Sequence, residues 1–140
     1  DPTFVDGEYL IVDQLTYHFS DPKREDVIIF KYPQNPSIYF IKRIIGLPHE
    51  TVTLNSGHIT VMNKENPQGI EIDDSHVADA RKGMDDFSVT LGEGEYFVMG
   101  DNRKESSDSR IWGPLERKFI VGRPFVRLWP VTNISVFPGR

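Results

Sequence analysis

The run Ile38-Tyr39-Phe40-Ile41-Lys42-Arg43-Ile44-Ile45 constrains this chain more than any other stretch. It is built from β-branched and aromatic residues, contains no proline and stops at Gly46, so it reads as a core strand. Side chains alternate between the two faces of a strand. Lys42 therefore shares a face with Phe40 and Ile44, and Arg43 shares the other with Ile41 and Ile45. One of two adjacent cations must point inward or into a cleft. On strand pattern alone, the commoner outcome is an edge strand whose cations snorkel to water. The alternative carries chemistry: a lysine desolvated by apolar neighbours loses its proton near neutral pH and acts as a base.

The rest of the chain has the same texture. Candidate strands are Tyr9–Asp13, Asp26–Tyr32, Ile38–Ile45, Thr51–Leu54, His58–Met62, Phe87–Leu91, Glu95–Met99 and Phe119–Trp129. Asn55-Ser56-Gly57 lies between two alternating runs and predicts a hairpin turn. Ten prolines and eleven glycines punctuate the remainder. The one stretch with helical character is Ser75–Lys82, where Ser75 can cap and Ala78 and Ala80 favour a helix. The polar stretch Asn63–Asp86 reads as an insertion or flap. With 140 residues and 38% hydrophobic composition the chain has room for one domain with a sizeable core. The expected fold is all-β and mainly antiparallel, with one domain over residues 1–140 and a small insertion at 63–86.

A net charge of −5 with scattered lysine and arginine argues against a nucleic-acid partner, which calls for a basic face. The absence of cysteine removes disulfides and thiolate metal sites. His18, His49, His58 and His76 lack metal-ligand spacing. Asp73-Asp74 and Asp85-Asp86 do not fit a calcium loop, and Gly92-Glu93-Gly94 is a turn between strands and not a dinucleotide fingerprint. Asn133-Ile134-Ser135 matches a glycosylation sequon that is short enough to arise by chance. No cofactor or metal is expected. No apolar run reaches the roughly 20 residues that span a bilayer.

Residues 100–110, Gly100-Asp101-Asn102-Arg103-Lys104-Glu105-Ser106-Ser107-Asp108-Ser109-Arg110, form the second chemistry-bearing segment. Gly100-Asp101-Asn102 is turn chemistry. Asp108 and Arg110 are placed to pair with each other or with Arg103 and Arg43. Such a loop is either a stapled turn or a platform of hydroxyls that holds a neutral amine. What the chain lacks is an evident serine for a lysine base to activate.

Together these segments resemble type I signal peptidases, membrane-bound serine proteases that remove signal peptides from exported proteins. Asp1-Pro2-Thr3, followed by Asp6-Gly7-Glu8, is similar to the end of the family's serine motif. Glu25–Pro33 is similar to its second strand motif, Tyr39–Pro48 to the strand bearing the catalytic lysine, and Gly100–Arg103 with Ser106–Arg110 to its last motif. The order and spacing match across the chain. Three departures stand out. Glu25 occupies the usual glycine of the second motif, His49-Glu50 replaces a glycine-aspartate after Leu47-Pro48, and Lys104-Glu105 replaces an acidic-polar pair. All three fall in turns.

The resemblance implies a serine-lysine dyad in which Lys42 is the general base, with Ser106 orienting its amine. It assigns Tyr39 and Ile41 to substrate binding. Arg43, Asp101, Asn102, Arg103, Asp108 and Arg110 hold the site together. The family's nucleophilic serine falls two residues before Asp1, so the chain as written is expected to be inactive. Implied partners are the signal peptides of exported preproteins and a membrane reached through an anchor upstream of Asp1, with the catalytic domain on the extracytoplasmic face. Two alternatives remain open: a self-cleaving repressor-type serine-lysine protease, and a pseudoenzyme that only captures extended peptides.

Overall fold

A computed structural model of the chain describes residues 10–74, 86–103 and 106–127. Within them the fold is all-β, as expected, and every pairing is antiparallel. The strands are β1 (Leu10–Asp13), β2 (Val27–Lys31), β3 (Tyr39–Gly46), β4 (Thr51–Asn55), β5 (His58–Met62), β6 (Ile70–Glu71), β7 (Phe87–Thr90), β8 (Glu95–Met99), β9 (Leu115–Glu116) and β10 (Ile120–Arg127). They form a six-stranded sheet in the order β1-β10-β2-β3-β8-β9 and a four-stranded sheet in the order β6-β5-β4-β7.

Alternation explains the second sheet. Val52 and Leu54 on β4 and Ile59 and Val61 on β5 are buried, while the residues between them are not. These four pack with Ile72, Leu91 and, from the first sheet, Ile45, Phe97 and Met99. The β4–β5 hairpin turns on Ser56 and Gly57, whose φ angles of 53° and 80° are the paired positive values that match strand twist in a two-residue loop. Gly46 lies where the sheets approach: a Cβ there would come within 2.5 Å of Val52 Cγ2.

The other face of the first sheet carries a second core of Ile28, Phe30, Phe40, Ile44, Tyr96, Val98 and Leu115. Tyr17 and Trp112 close over it from two short helices, α1 (Thr16–Phe19) and α2 (Ser109–Trp112). A ring cluster forms there, with Tyr32 stacked on Phe40 at 4.7 Å and Trp112 edge-on to Tyr32 at 5.8 Å.

The expectation that only residues 75–82 have helical character is corrected by α1, α2 and a 3-10 turn at Arg117–Phe119. These are single turns fixed by contacts, too short for propensity to reveal. Asp13 accepts from the backbone N–H groups of Leu15 and Thr16, and Asp108 caps α2 by accepting from the Arg110 N–H. Ser75–Lys82, the segment Asp1-Pro2-Thr3 and the Asn133 sequon lie outside the described residues. Of the polar stretch after Asn63, Ile70 and Glu71 pair with Val61 and Thr60 as an edge strand.

Candidate active site

β3 is paired over a different stretch on each of its two sides. On that side β2 runs opposite residues 39–43. On the other, β8 begins its pairing at Met99 opposite Arg43 and runs on to Gly46. The chain then turns away at Gly100, so no described strand pairs with Tyr39–Lys42 along this edge. Ile44 donates its N–H to Asp26 and accepts from Glu25 N–H, at 2.8 and 2.9 Å. Backbone groups alternate direction along a strand. Lys42 and Phe40 therefore bond toward β2, and the N–H and C=O of Tyr39 and Ile41 face the open edge.

Lys42 is 4% exposed, so it does not snorkel. Its Nζ donates to Ser106 Oγ at 2.9 Å, across 64 residues of sequence, and lies 5.2 Å from the centre of the Phe40 ring. Burial of an amine penalises its charged form. Ser106 is itself 8% exposed. The pair rests against Gly100. A Cβ on Gly100 would stand 2.0 Å from Ser106 Oγ and 3.2 Å from Lys42 Nζ. Only glycine leaves room for this pair, a role the sequence reading missed because turn chemistry already accounted for that position.

Charged residues fix the loop around Gly100. The Gly100 N–H donates to Asp108 Oδ2 at 3.0 Å, and its carbonyl accepts from Arg103 Nε at 2.8 Å. Asp108 is fully buried and receives Arg110 through both Nε and Nη2, at 2.9 and 2.8 Å. Ser109 Oγ accepts from Val98 N–H at 2.9 Å, which binds α2 to the end of β8. Arg103 is 2% exposed and pairs with Asp74 at 3.4 Å. Its guanidinium is pushed down from the ordinary value by burial, a cost that Asp74, Asp101 and Asp108 oppose.

On the opposite face of β3, Arg43 grips Asp101 through two bonds of 3.1 and 2.9 Å and donates to the Glu25 carbonyl at 3.1 Å. The hydrogen bond to Asp101 raises Arg43 above its ordinary value. Ile41 is on that face too, packed on Ile29 with Val12, Val27, Tyr39 and Val121 around it. Ile41 and Lys42 are thus neighbours in the stretch that β8 leaves unpaired, with their side chains on opposite faces. Asn102 is exposed at the tip of the turn.

Two further features were not legible in sequence. Glu50 is buried beside Arg24, accepting from it at 2.6 and 2.8 Å, from Asn63 at 2.8 Å and from Leu47 N–H at 2.8 Å. Burial works to raise Glu50, but these bonds outweigh it and hold the carboxyl below its usual range. Glu25 and His49, two of the positions where the sequence departs from glycine, both have positive φ, 75° and 71°. Among the described residues no group of three or more histidine, cysteine or acidic residues could hold a metal ion.

The profile of the family described as signal peptidase, peptidase S26, matches residues 1–129. A signal peptidase I of Leptolyngbya laminosa is 36% identical over 96% of this chain. A signal peptidase I V of Bacillus subtilis is 35% identical over 86% of it and is covered over 75% of its own length. The chain spans 66% of the Leptolyngbya relative, just under two thirds of its length. Among solved structures, a signal peptidase I from Enterococcus faecalis superposes with a TM-score of 0.62 and 30% identity, over 76% of this chain and 98% of that one.

Proposed function

This chain belongs to the signal peptidase family, peptidase S26, and from that premise we propose that it is the catalytic domain of a serine endopeptidase that removes signal peptides from exported proteins. One observation carries the reading: a lysine amine, buried in a β-strand, donates to a buried hydroxyl at the point where that strand's edge opens. In the proposed reaction the neutral Lys42 amine takes the proton of a serine hydroxyl as its oxygen attacks the scissile carbonyl. The resulting ammonium then gives that proton to the leaving amine. Water, activated by the same amine, hydrolyses the ester. Ser106 orients Lys42 throughout. A dyad of this kind needs no histidine or aspartate when burial favours the neutral amine.

The substrate lies extended along the open edge of β3, its backbone bonding the N–H and C=O of Tyr39 and Ile41. Ile41 contributes to the pocket that admits only small side chains before the cleaved bond. The serine enters from the segment before Asp1, which also leads to the membrane anchor, and the domain works on the extracytoplasmic face. The test uses the chain extended upstream by a serine-methionine segment joined to Asp1. It is expected to cleave a preprotein peptide with alanine one and three residues before the cut, and to leave the same peptide intact when those alanines become leucine. Equal cleavage of both peptides would contradict the assigned specificity.

A further inference from the structure

Gly100 is held from both sides. Asp108 takes its N–H and Arg103 holds its carbonyl, and each of these buried charges has its own counter-ion, Arg110 for Asp108 and Asp74 for Arg103. Three of the four belong to the loop itself. Asp74 does not. Its segment is anchored to the four-stranded sheet, where Ile70 and Glu71 pair with β5, Ile72 N–H donates to the Ile59 carbonyl at 2.8 Å, and the Ile72 side chain is buried in the core. The Asp74 side chain is 3% exposed and that of Arg103 is 1% exposed, so the pair is closed off from water.

A buried guanidinium that loses its carboxylate is strongly destabilised and turns toward solvent. Arg103 cannot do so and keep Nε on the Gly100 carbonyl. Gly100 would then be held from one side only, its remaining N–H bond to Asp108 would open more often, and the surface on which Ser106 Oγ rests would shift. We infer that Asp74 is a positioning residue for the Lys42–Ser106 pair, acting through Arg103 and Gly100, and that the four-stranded sheet thereby sets the geometry of the active-site loop. This inference rests on the serine-lysine reading proposed above, but its structural half can be tested without activity.

In the 140-residue chain, Asp74→Ala should raise hydrogen exchange of the Gly100 amide about tenfold or more relative to the Ile44 amide, a local opening and not a global one. A uniform rise in both amides, or no rise at Gly100, would overturn the inference. In the serine-extended chain, the same substitution should lower kcat about tenfold or more with KM within about twofold, as expected for a displaced orienting group. In a Ser106→Ala background it should lower kcat by less than about twofold, because the group it positions is gone. Equal losses in both backgrounds would mean a general structural role and overturn the proposal. If Asp74→Ala does not fold, Asp74→Ala combined with Arg103→Met removes both charges, which buried sites often tolerate. That pair should fold yet keep the kcat loss, since Gly100 has still lost its donor; full recovery of kcat would overturn the inference. A serine-extended parent that cleaves nothing would instead refute the proposed function, leaving the exchange measurement to decide this inference.

Discussion

Replacing Asp108 with alanine is the sharpest test of how the active-site loop is held. The carboxylate is fully buried and accepts from Gly100 N–H, Arg110 N–H and two guanidinium nitrogens of Arg110. Removing one member of a buried pair costs about 3–5 kcal/mol, and an orphaned buried N–H costs about 1–3 kcal/mol. The Arg110 side chain is 13% exposed and can turn part-way to water, which favours the low end of both ranges. A net loss of about 4 kcal/mol follows. For a domain of this size each kcal/mol moves Tm by about 3–4 °C, so Asp108→Ala should lower Tm by roughly 14 °C. The control is Glu116→Ala, which removes an ion pair with Lys118 whose side chains are 57% and 71% exposed. Such pairs contribute about 0–1 kcal/mol. Differential scanning calorimetry of both variants beside the parent reads the contrast directly. A Tm loss for Asp108→Ala no larger than that for Glu116→Ala would refute the claim that buried charge fixes this loop.

Other outcomes follow from the same geometry. Gly100→Ala should abolish detectable cleavage in the serine-extended chain and lower stability by about 1–3 kcal/mol through overpacking, because its Cβ falls 2.0 Å from Ser106 Oγ; a fully active variant would show that the pair needs no such close approach. Glu25→Gly and His49→Gly should each stabilise by about 0.5–1 kcal/mol in denaturant titrations, since relief of left-handed strain exceeds the entropy glycine adds to the unfolded chain; destabilisation would mean their side chains contribute more than the backbone loses. Glu50 has a folded value below its ordinary 4.5, so its contribution is present above that value and is lost as pH falls through 4.5 toward the folded value. Glu50→Gln should therefore be less stable at neutral pH but lose less stability on acidification, and parallel pH–stability curves would contradict this.

The long strands were legible because period-two burial is written in the residues themselves: β3, β4 and β5 fall within a residue or so of where alternation and the Ser56-Gly57 turn place them. The two-residue strands β6 and β9 and the single-turn helices were not, because their stability comes from neighbours and not from their own propensity. The contrast recurs at the site. Alternation put Lys42 on a face with Phe40 and Ile44, and the structure places its amine against Phe40 and Ser106. Strand pattern alone favoured a snorkelling lysine; what buries it is the loop carrying Ser106, which returns 64 residues later. The pairing of Asp108 with Arg110 is local and could be read. The partner of Arg103 could not, because Asp74 is 29 positions away, in the segment that follows β6 of the other sheet. The space beside Gly100 was hidden for a different reason, since a glycine in a turn has an ordinary explanation that masks a second one.

The central claim is that the Lys42 amine accepts the proton of an attacking serine while Ser106 orients it. The most direct measurement is single-turnover cleavage of a signal-peptide substrate by the serine-extended chain, compared with its Lys42→Ala and Ser106→Ala variants, each verified as folded by circular dichroism. The account predicts cleavage by the parent, no detectable turnover for Lys42→Ala, and a partial loss of about 10²-fold for Ser106→Ala, the size expected when a catalytic group is left in place but misaligned. Full turnover by Lys42→Ala, or an inactive but folded parent that still binds the peptide, would contradict the account and leave an extended-peptide-binding protein in its place.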